Sequence, residues 1–321
     1  MGAIEADGLT KYYGDVRAVE DLSFEVREGE VFGFLGPNGA GKTTTIRTLL
    51  GFLSPTTGSA TVLGRDVTDE AALVEAKRLI GYLPSDPAFE PGVTGRRLVR
   101  YHADLKGDER SDELLEIFDA PADRPVSDYS RGNQQKLAIV LAFMHDPDLV
   151  VMDEPTSGLD PLLQDRFYEF VRAERDRGTT VFFSSHILSE VRKVCDRVGI
   201  IRDGHLAALE GVEELLDRSG KRVEIDVEGS FDPADLSLPG VHDLETDPER
   251  GTASFMFTGA YDDLLGRLRD YSVRDLEIEE APLEDVFMRF YGDEAGVDGS
   301  ETPLDATKDE EPATAGGDDD V

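Results

Sequence analysis

Val31-Phe32-Gly33-Phe34-Leu35-Gly36-Pro37-Asn38-Gly39-Ala40-Gly41-Lys42-Thr43-Thr44 decides the fold of this chain. Residues 31–35 form a short apolar run bounded by glycine, which suits a buried strand. Residues 36–41 read as a loop, and 43–50 as a helix that stops at Gly51. The loop satisfies G-x-x-x-x-G-K-[ST] in the strand–loop–helix setting that pattern requires. Its glycines let backbone N–H groups turn inward around phosphate oxygens. The helix start adds positive potential. Lys42 is placed to reach β and γ phosphates, and the Thr43 hydroxyl to ligate Mg²⁺. Gly36, Pro37, Asn38, Gly39, Ala40, Gly41, Lys42, Thr43 and Thr44 are therefore the candidate polyphosphate-binding residues. The glycine order is G-x-x-G-x-G, which fits a dinucleotide loop less well.

A second apolar run, Leu149-Val-Val-Met-Asp153-Glu154, ends in two carboxylates 111 residues after Lys42. In a parallel sheet the C-terminal strand ends face the side where such a loop lies. Asp153 is then placed to hold Mg²⁺ through water, because Mg²⁺ keeps several waters. Glu154 is placed to orient or deprotonate a water attacking a γ phosphate. A helical pattern over 162–177 and a strand over 180–184 follow, which makes a parallel α/β unit.

Between the two motifs the style is helical, over 71–79, 98–105, 112–118 and 131–144, so a helical subdomain is expected at about 85–145. After residue 220 the pattern shifts again. Val223, Ile225 and Val227 alternate with charges, and Phe255 and Phe257 recur at the same spacing. Leu264, Leu265 and Leu268 suit a short helix; Val273, Leu276 and Ile278 suit a strand. Leu283, Val286, Phe287 and Phe290 recur at helical spacing after Pro282. The expected units are an α/β domain over 1–220, a small α+β appendix over 221–292 and an acidic, disordered tail over 293–321.

The 321 residues carry 68 acids against 33 bases, a net charge of −35. Phosphate backbones and anionic lipids repel such a chain. The densest basic cluster is only Arg96, Arg97 and Arg100, so nucleic acid and direct lipid binding are excluded as expected partners. Eleven acids and Lys308 in the tail account for −10, leaving −25 on residues 1–292. A surface so charged repels itself at a Debye length of about 8 Å, and much less at the ~3 Å of molar salt. We therefore expect adaptation to a salt-rich cytoplasm. The single cysteine, Cys195, forms no internal disulfide, which points to a reducing compartment. No signal peptide is evident. The longest apolar run, 137–144, has eight residues against the roughly twenty of a membrane helix. Work at a membrane would need another chain to supply the spans.

These motifs, with what lies around them, resemble the nucleotide-binding subunits of ATP-binding-cassette (ABC) transporters. Tyr129-Ser130-Arg131-Gly132-Asn133-Gln134-Gln135 stands where that family has its L-S-G-G-Q signature, 23 residues before Asp153. Ser157-Gly158-Leu159-Asp160 matches the D-loop, Ser184-Ser185-His186 the switch histidine, and Lys11-Tyr12-Tyr13-Gly14 the aromatic A-loop. The resemblance covers residues 4 to about 215. It implies a P-loop NTPase core of the ABC ATPase type that binds and hydrolyses ATP with Mg²⁺.

The resemblance further implies that two copies, or paired subunits, face each other head to tail around two ATP molecules. Ser130 and the N–H groups near Gly132 would close on the γ phosphate held by the other copy. Asp160 would couple the two sites, His186 would contact the γ phosphate, and Tyr13 would stack on adenine. A separate multi-span permease would be the partner, placing the chain in the cytoplasm on the inner membrane face. The permease surface is expected near residues 86–105.

Three positions depart from the family pattern. Arg131 replaces a glycine and Asn133 a glutamine of the signature. Ser85, in Ile80-Gly-Tyr-Leu-Pro84-Ser85-Asp86, stands where a glutamine usually reaches Mg²⁺, and serine is too short to do the same. Asp86 or a water is the alternative. Such departures, and the ending Ala281-Pro-Leu-Glu-Asp-Val-Phe287, resemble the ABC-2-type, drug-export-like subgroup. The competing reading is a soluble regulatory, ribosome- or DNA-associated ABC protein. The single phosphate loop, the absence of sustained heptads and the acidity count against it.

Overall fold

The computed structural model describes residues 2–281. The helix expected over 283–290 and the tail at 293–321 lie outside the described residues. In chain order, a hairpin of β1 (Gly2–Tyr13) and β2 (Val16–Arg27) leads into β3 (Val31–Leu35) and α1 (Lys42–Leu49). β4 (Thr57–Val62), β5 (Arg65–Asp66), α2 (Glu70–Arg78) and β6 (Ile80–Leu83) follow. Three helices come next, α3 (Gly95–Lys106), α4 (Ser111–Ile117) and α5 (Arg131–Phe143). Then come β7 (Leu149–Asp153), α6 (Pro161–Asp176), β8 (Thr180–Ser185), α7 (Leu188–Val194), β9 (Arg197–Arg202), β10 (His205–Gly211) and α8 (Val212–Ser219). Last are β11 (Lys221–Val227), β12 (Val241–Asp247), β13 (Thr252–Phe257), α9 (Tyr261–Leu268) and β14 (Val273–Glu280).

The central sheet has the order β10-β9-β3-β8-β7-β6. All neighbours in it are parallel except β10 against β9. β3 lies between β8 and β9 and is buried along its whole length, which is why it reads as an unbroken apolar run. Gly33 on that strand has a packing reason. A Cβ there would stand 3.0 Å from Cys195 Sγ and from Val191 Cγ1, so α7 could not lie as close.

A second, antiparallel sheet in the order β2-β1-β4-β5 covers one face of the first. Phe24 of β2 meets Phe32, Phe34 and Phe182 of the central sheet at ring separations of 5.6–6.2 Å. Each buried ring contributes roughly 1.5–3 kcal/mol of hydrophobic stabilisation. On the other face, Phe170 of α6 takes edge-to-face contacts from Phe118 and Phe143, which seats α4 and α5 on the core.

The terminal strands form a third sheet, β12-β13-β11-β14, with its own core of Val223, Ile225, Val227, Phe255, Phe257, Leu264 and Leu268. Met256 and Ala281 instead join the main core, alongside Val212 and Leu215 of α8.

Several strands are absent from the sequence reading. β1 is interrupted by register shifts near Ala6, Leu9 and Lys11, so its alternation is broken. β4 opens on Thr57, Gly58 and Ser59, which lie exposed and carry no apolar signal. β12 is an edge strand whose side chains are all partly or fully exposed.

Candidate active site

The phosphate loop joins β3 to α1. Gly36 packs against β9: a Cβ there would lie 2.3 Å from the Ile201 carbonyl oxygen. Gly41 has φ +110°, the left-handed region that favours glycine, and a Cβ on it would meet the Ala18 carbonyl oxygen at 2.6 Å. Helix α1 has no side-chain cap and no acid in its first turn. Its first N–H groups therefore remain available to an anion. The Lys42 ammonium lies inside the loop, donating to the carbonyl oxygens of Gly36 at 2.7 Å and Pro37 at 3.1 Å. Burial pushes Lys42 below the usual lysine range, and Glu154 and Asp153 pull it partway back.

Sheet order brings the other motifs to this loop. β8 lies between β3 and β7, so three strand ends stand side by side. Phe34, Ser184 and Asp153 occupy one row across them. Asp153 is 2 % exposed and accepts hydrogen bonds from Thr43 Oγ1 at 2.8 Å and Ser184 Oγ at 2.7 Å. A buried carboxylate and a hydroxyl are hard oxygen donors that suit Mg²⁺ better than softer metals. Among the described residues no group of three or more His, Cys, Asp or Glu gathers as a full metal cage.

Glu154 follows Asp153 with φ +49°, a left-handed conformation rare outside glycine. Its N–H donates back to the Ser184 carbonyl oxygen at 3.1 Å, locking the turn. The carboxylate thereby faces the loop, with Oε1 at 3.6 Å from Lys42 Nζ and 3.2 Å from His186 Nδ1. Half of the His186 surface stays open to solvent. A lysine, a carboxylate and an imidazole thus converge at the mouth of the phosphate loop.

The remaining predicted residues take up separate places. Ser130 and Asp160 are both exposed helix N-caps, accepting from Asn133 N at 3.3 Å and Leu163 N at 3.0 Å. Gly132 backs onto Gly158, where a Cβ would lie 3.0 Å from the carbonyl oxygen. Of the two tyrosines at the end of β1, Tyr12 is tied by its hydroxyl to Glu20. Tyr13 instead presents its ring, with Lys11 Nζ 5.4 Å from the centroid. Ser85, just past β6, makes none of the contacts that bind Thr43, Ser184 and Asp153 together.

Two residues at this site escaped the sequence reading in their roles. Ser184 holds Asp153 and accepts from Glu154 N at 3.2 Å. Gln135, 1 % exposed, donates to the Pro155 carbonyl oxygen at 2.6 Å. Their signal was present in Ser184-Ser185-His186 and in the polar residues that open an otherwise apolar α5, but it names no partner.

Residues 19–157 match the ABC transporter family. Over 304 residues the chain is 36 % identical to the Nod factor export ATP-binding protein I of Neorhizobium galegae, covering 91 % of this chain and 86 % of that protein. Over 299 residues it is 33 % identical to the bacitracin transport ATP-binding protein BcrA of Bacillus licheniformis, covering 90 % and 97 %. The fold is similar to a solved ATP-binding subunit of an ABC transporter, with a TM-score of 0.62 and 28 % identity over 67 % of this chain and 92 % of the other.

Proposed function

This chain belongs to the ATP-binding proteins of ABC transporters, and from that premise we propose that it is the ATPase subunit driving a separate multi-span permease outward. The observation that carries the reading is the meeting of Glu154 Oε1 with Lys42 Nζ at 3.6 Å and His186 Nδ1 at 3.2 Å. In this reading Lys42 and the loop N–H groups hold the β and γ phosphates. Thr43 and Asp153 would hold Mg²⁺, which would neutralise charge on those phosphates when bound. Glu154 accepts a proton from a water as its oxygen bonds to the γ phosphorus, and the bond from that phosphorus to the bridging oxygen breaks to release ADP. His186 orients the γ phosphate, and Tyr13 stacks on adenine.

The exposed helix start at Ser130 and Gly132 supports head-to-tail pairing of two copies. These residues open α5, ready for an anion held by another chain. Asp160, at the neighbouring cap, couples the two sites. ATP favours the closed pair because only that state makes both sets of contacts.

No helix among the described residues is long and apolar enough to cross a membrane. The permease face is assigned to the end of α3. Lys106 Nζ donates to the Ile80 carbonyl oxygen at 2.6 Å, tying α3 to β6. Exposed Leu105 and Leu79 each sit one residue from that bond, with exposed Phe52, Val74 and Tyr101 as further apolar surface. Outward transport of a drug, lipid or other small solute rests on the export and bacitracin-transport functions of the relatives. The charge of −35, which screening by salt would ease, supports a salt-rich working environment.

The test is to find whether a multi-span protein is encoded beside the chain, co-express the two, purify the complex in molar KCl and measure ATP hydrolysis. Co-purification with turnover above that of the chain alone supports the reading. Failure of the two chains to associate would overturn the assignment of the permease.

A further inference from the structure

Glu190 is a buried carboxyl that the proposed mechanism does not use. It sits on α7 and is 6 % exposed. Three hydroxyls from three other elements converge on it. Thr156 Oγ1 donates to Oε1 at 2.5 Å and Tyr168 of α6 to the same oxygen at 3.2 Å. Ser185, at the end of β8, donates to Oε2 at 2.6 Å. All three hydroxyls donate to it, so each donor's orientation is set. Burial, and after it the nearby Glu190 carboxyl, push the Tyr168 phenol up, which keeps it a donor.

Two of these donors flank the reacting groups. Thr156 lies two residues after Glu154. Ser185 immediately precedes His186, and its Oγ accepts from Ile187 N at 2.9 Å. That bond closes a short turn around His186. The loops carrying Glu154 and His186 belong to different strands, yet one side chain holds both from behind.

We propose that Glu190 is a positioning residue that fixes the switch histidine against Glu154 by bridging Thr156 and Ser185. It touches neither phosphate loop nor reacting atoms. Its effect passes through the spacing of two side chains that meet at 3.2 Å. Losing the carboxylate leaves three buried hydroxyls competing for fewer acceptors, and the two loops drift apart. This inference rests on the ATPase reading of Glu154 and His186.

The experiment uses the full chain in molar KCl, with Glu190→Gln and wild type compared in three measurements. The first is kcat and KM for ATP. The second is the thermal unfolding midpoint. The third is the NMR ring-proton signals of His186, assigned among the five histidines by their loss in His186→Ala. We expect kcat to fall by about tenfold to a hundredfold, with KM within about twofold of wild type and the His186 signals moved. Thr156→Val and Ser185→Ala, which each free one loop, carry the same expectation should Glu190→Gln fail to fold. A kcat within twofold of wild type, or His186 signals that stay in place, overturns the inference. A wild type that hydrolyses nothing fails the ATPase reading instead, and the ring signals then decide the inference alone.

Discussion

Arg131 Nη2 donates a 2.8 Å hydrogen bond to Ser157 Oγ. The bond joins the first residue of α5 to the turn that follows Glu154. The stem of Arg131 also covers Gly158, where a Cβ would meet Arg131 Cγ at 3.1 Å. Gln135, one turn further along α5, donates to Pro155. The start of α5 and residues 155–158 are therefore tied twice, and a glycine at 131 would make only the second tie.

Arg131→Gly isolates that link. Arg131 is exposed and one such hydrogen bond is worth about 1 kcal/mol, so the folded state should lose little. Turnover should fall roughly three- to tenfold, because Ser157 and Gly158 are no longer seated against α5. Steady-state hydrolysis alongside thermal unfolding checks this. Turnover equal to wild type would show that the tie has no part in the reaction.

Glu154→Gln keeps the shape of the side chain and removes its ability to accept a proton. The expected loss in kcat is at least about a hundredfold. ATP binding should be retained or tightened, since one negative charge leaves the neighbourhood of the phosphates. Hydrolysis assays with a separate equilibrium-binding measurement distinguish these effects. A fully active variant would falsify the role of Glu154 in proton transfer.

His145 should make the fold sensitive to acid. It is 9 % exposed, and neither ring nitrogen has a hydrogen-bond partner among the described residues. Burial, aided by Lys106, lowers the imidazole to about 4. The unfolded imidazole titrates near ~6.5. Between these values the unfolded chain binds a proton that the folded chain refuses, so stability is complete above ~6.5 and falls as the pH drops toward 4. The loss is about 3 kcal/mol at the bottom of the window. His102, also lowered by burial, adds in the same direction. Denaturant midpoints at pH 7 and pH 5 should differ less in His145→Leu than in wild type. An identical difference in both proteins would reject the assignment.

The appendix sheet should carry part of the salt requirement. Glu224 stands opposite Glu277, and Asp226 opposite Asp275. Like charges directly opposite on a sheet destabilise it. Repulsion from Glu279, and less from Glu224 and Asp275, raises the Glu277 carboxyl above its ordinary range. Glu277→Lys should raise the unfolding midpoint in dilute buffer, and the gain should shrink in molar KCl, where the pair is already screened. A gain of equal size in both buffers would mean that charge is not the cause.

Much of the site was legible in the sequence because its chemistry depends on local spacing. Residues 36–44 must be contiguous, since one loop and one helix start wrap one phosphate chain. Asp153 and Glu154 had to follow an apolar run, since a strand end delivers them. Ser184, Gln135 and Glu190 were not legible as partners. Ser184 reaches Asp153, Gln135 reaches Pro155 and Glu190 reaches Thr156 from distant stretches of sequence, and a serine, a glutamine or a glutamate has no spacing that names its partner. β1 and β12 were missed for a related reason: an interrupted or half-exposed strand carries few apolar residues in register, so its period is faint.

The α/β class, the phosphate loop, the paired carboxylates and the acidity are written in the amino-acid sequence, because each follows from neighbours along the chain or from composition. That β8 lies between β3 and β7 emerges only in the folded sheet. That order sets Ser184 against Asp153 and His186 against Glu154, and brings Lys42 within 3.6 Å of Glu154. The pairing of strands distant in sequence depends on hydrogen bonds and buried area shared between them, and neither of those belongs to any one segment.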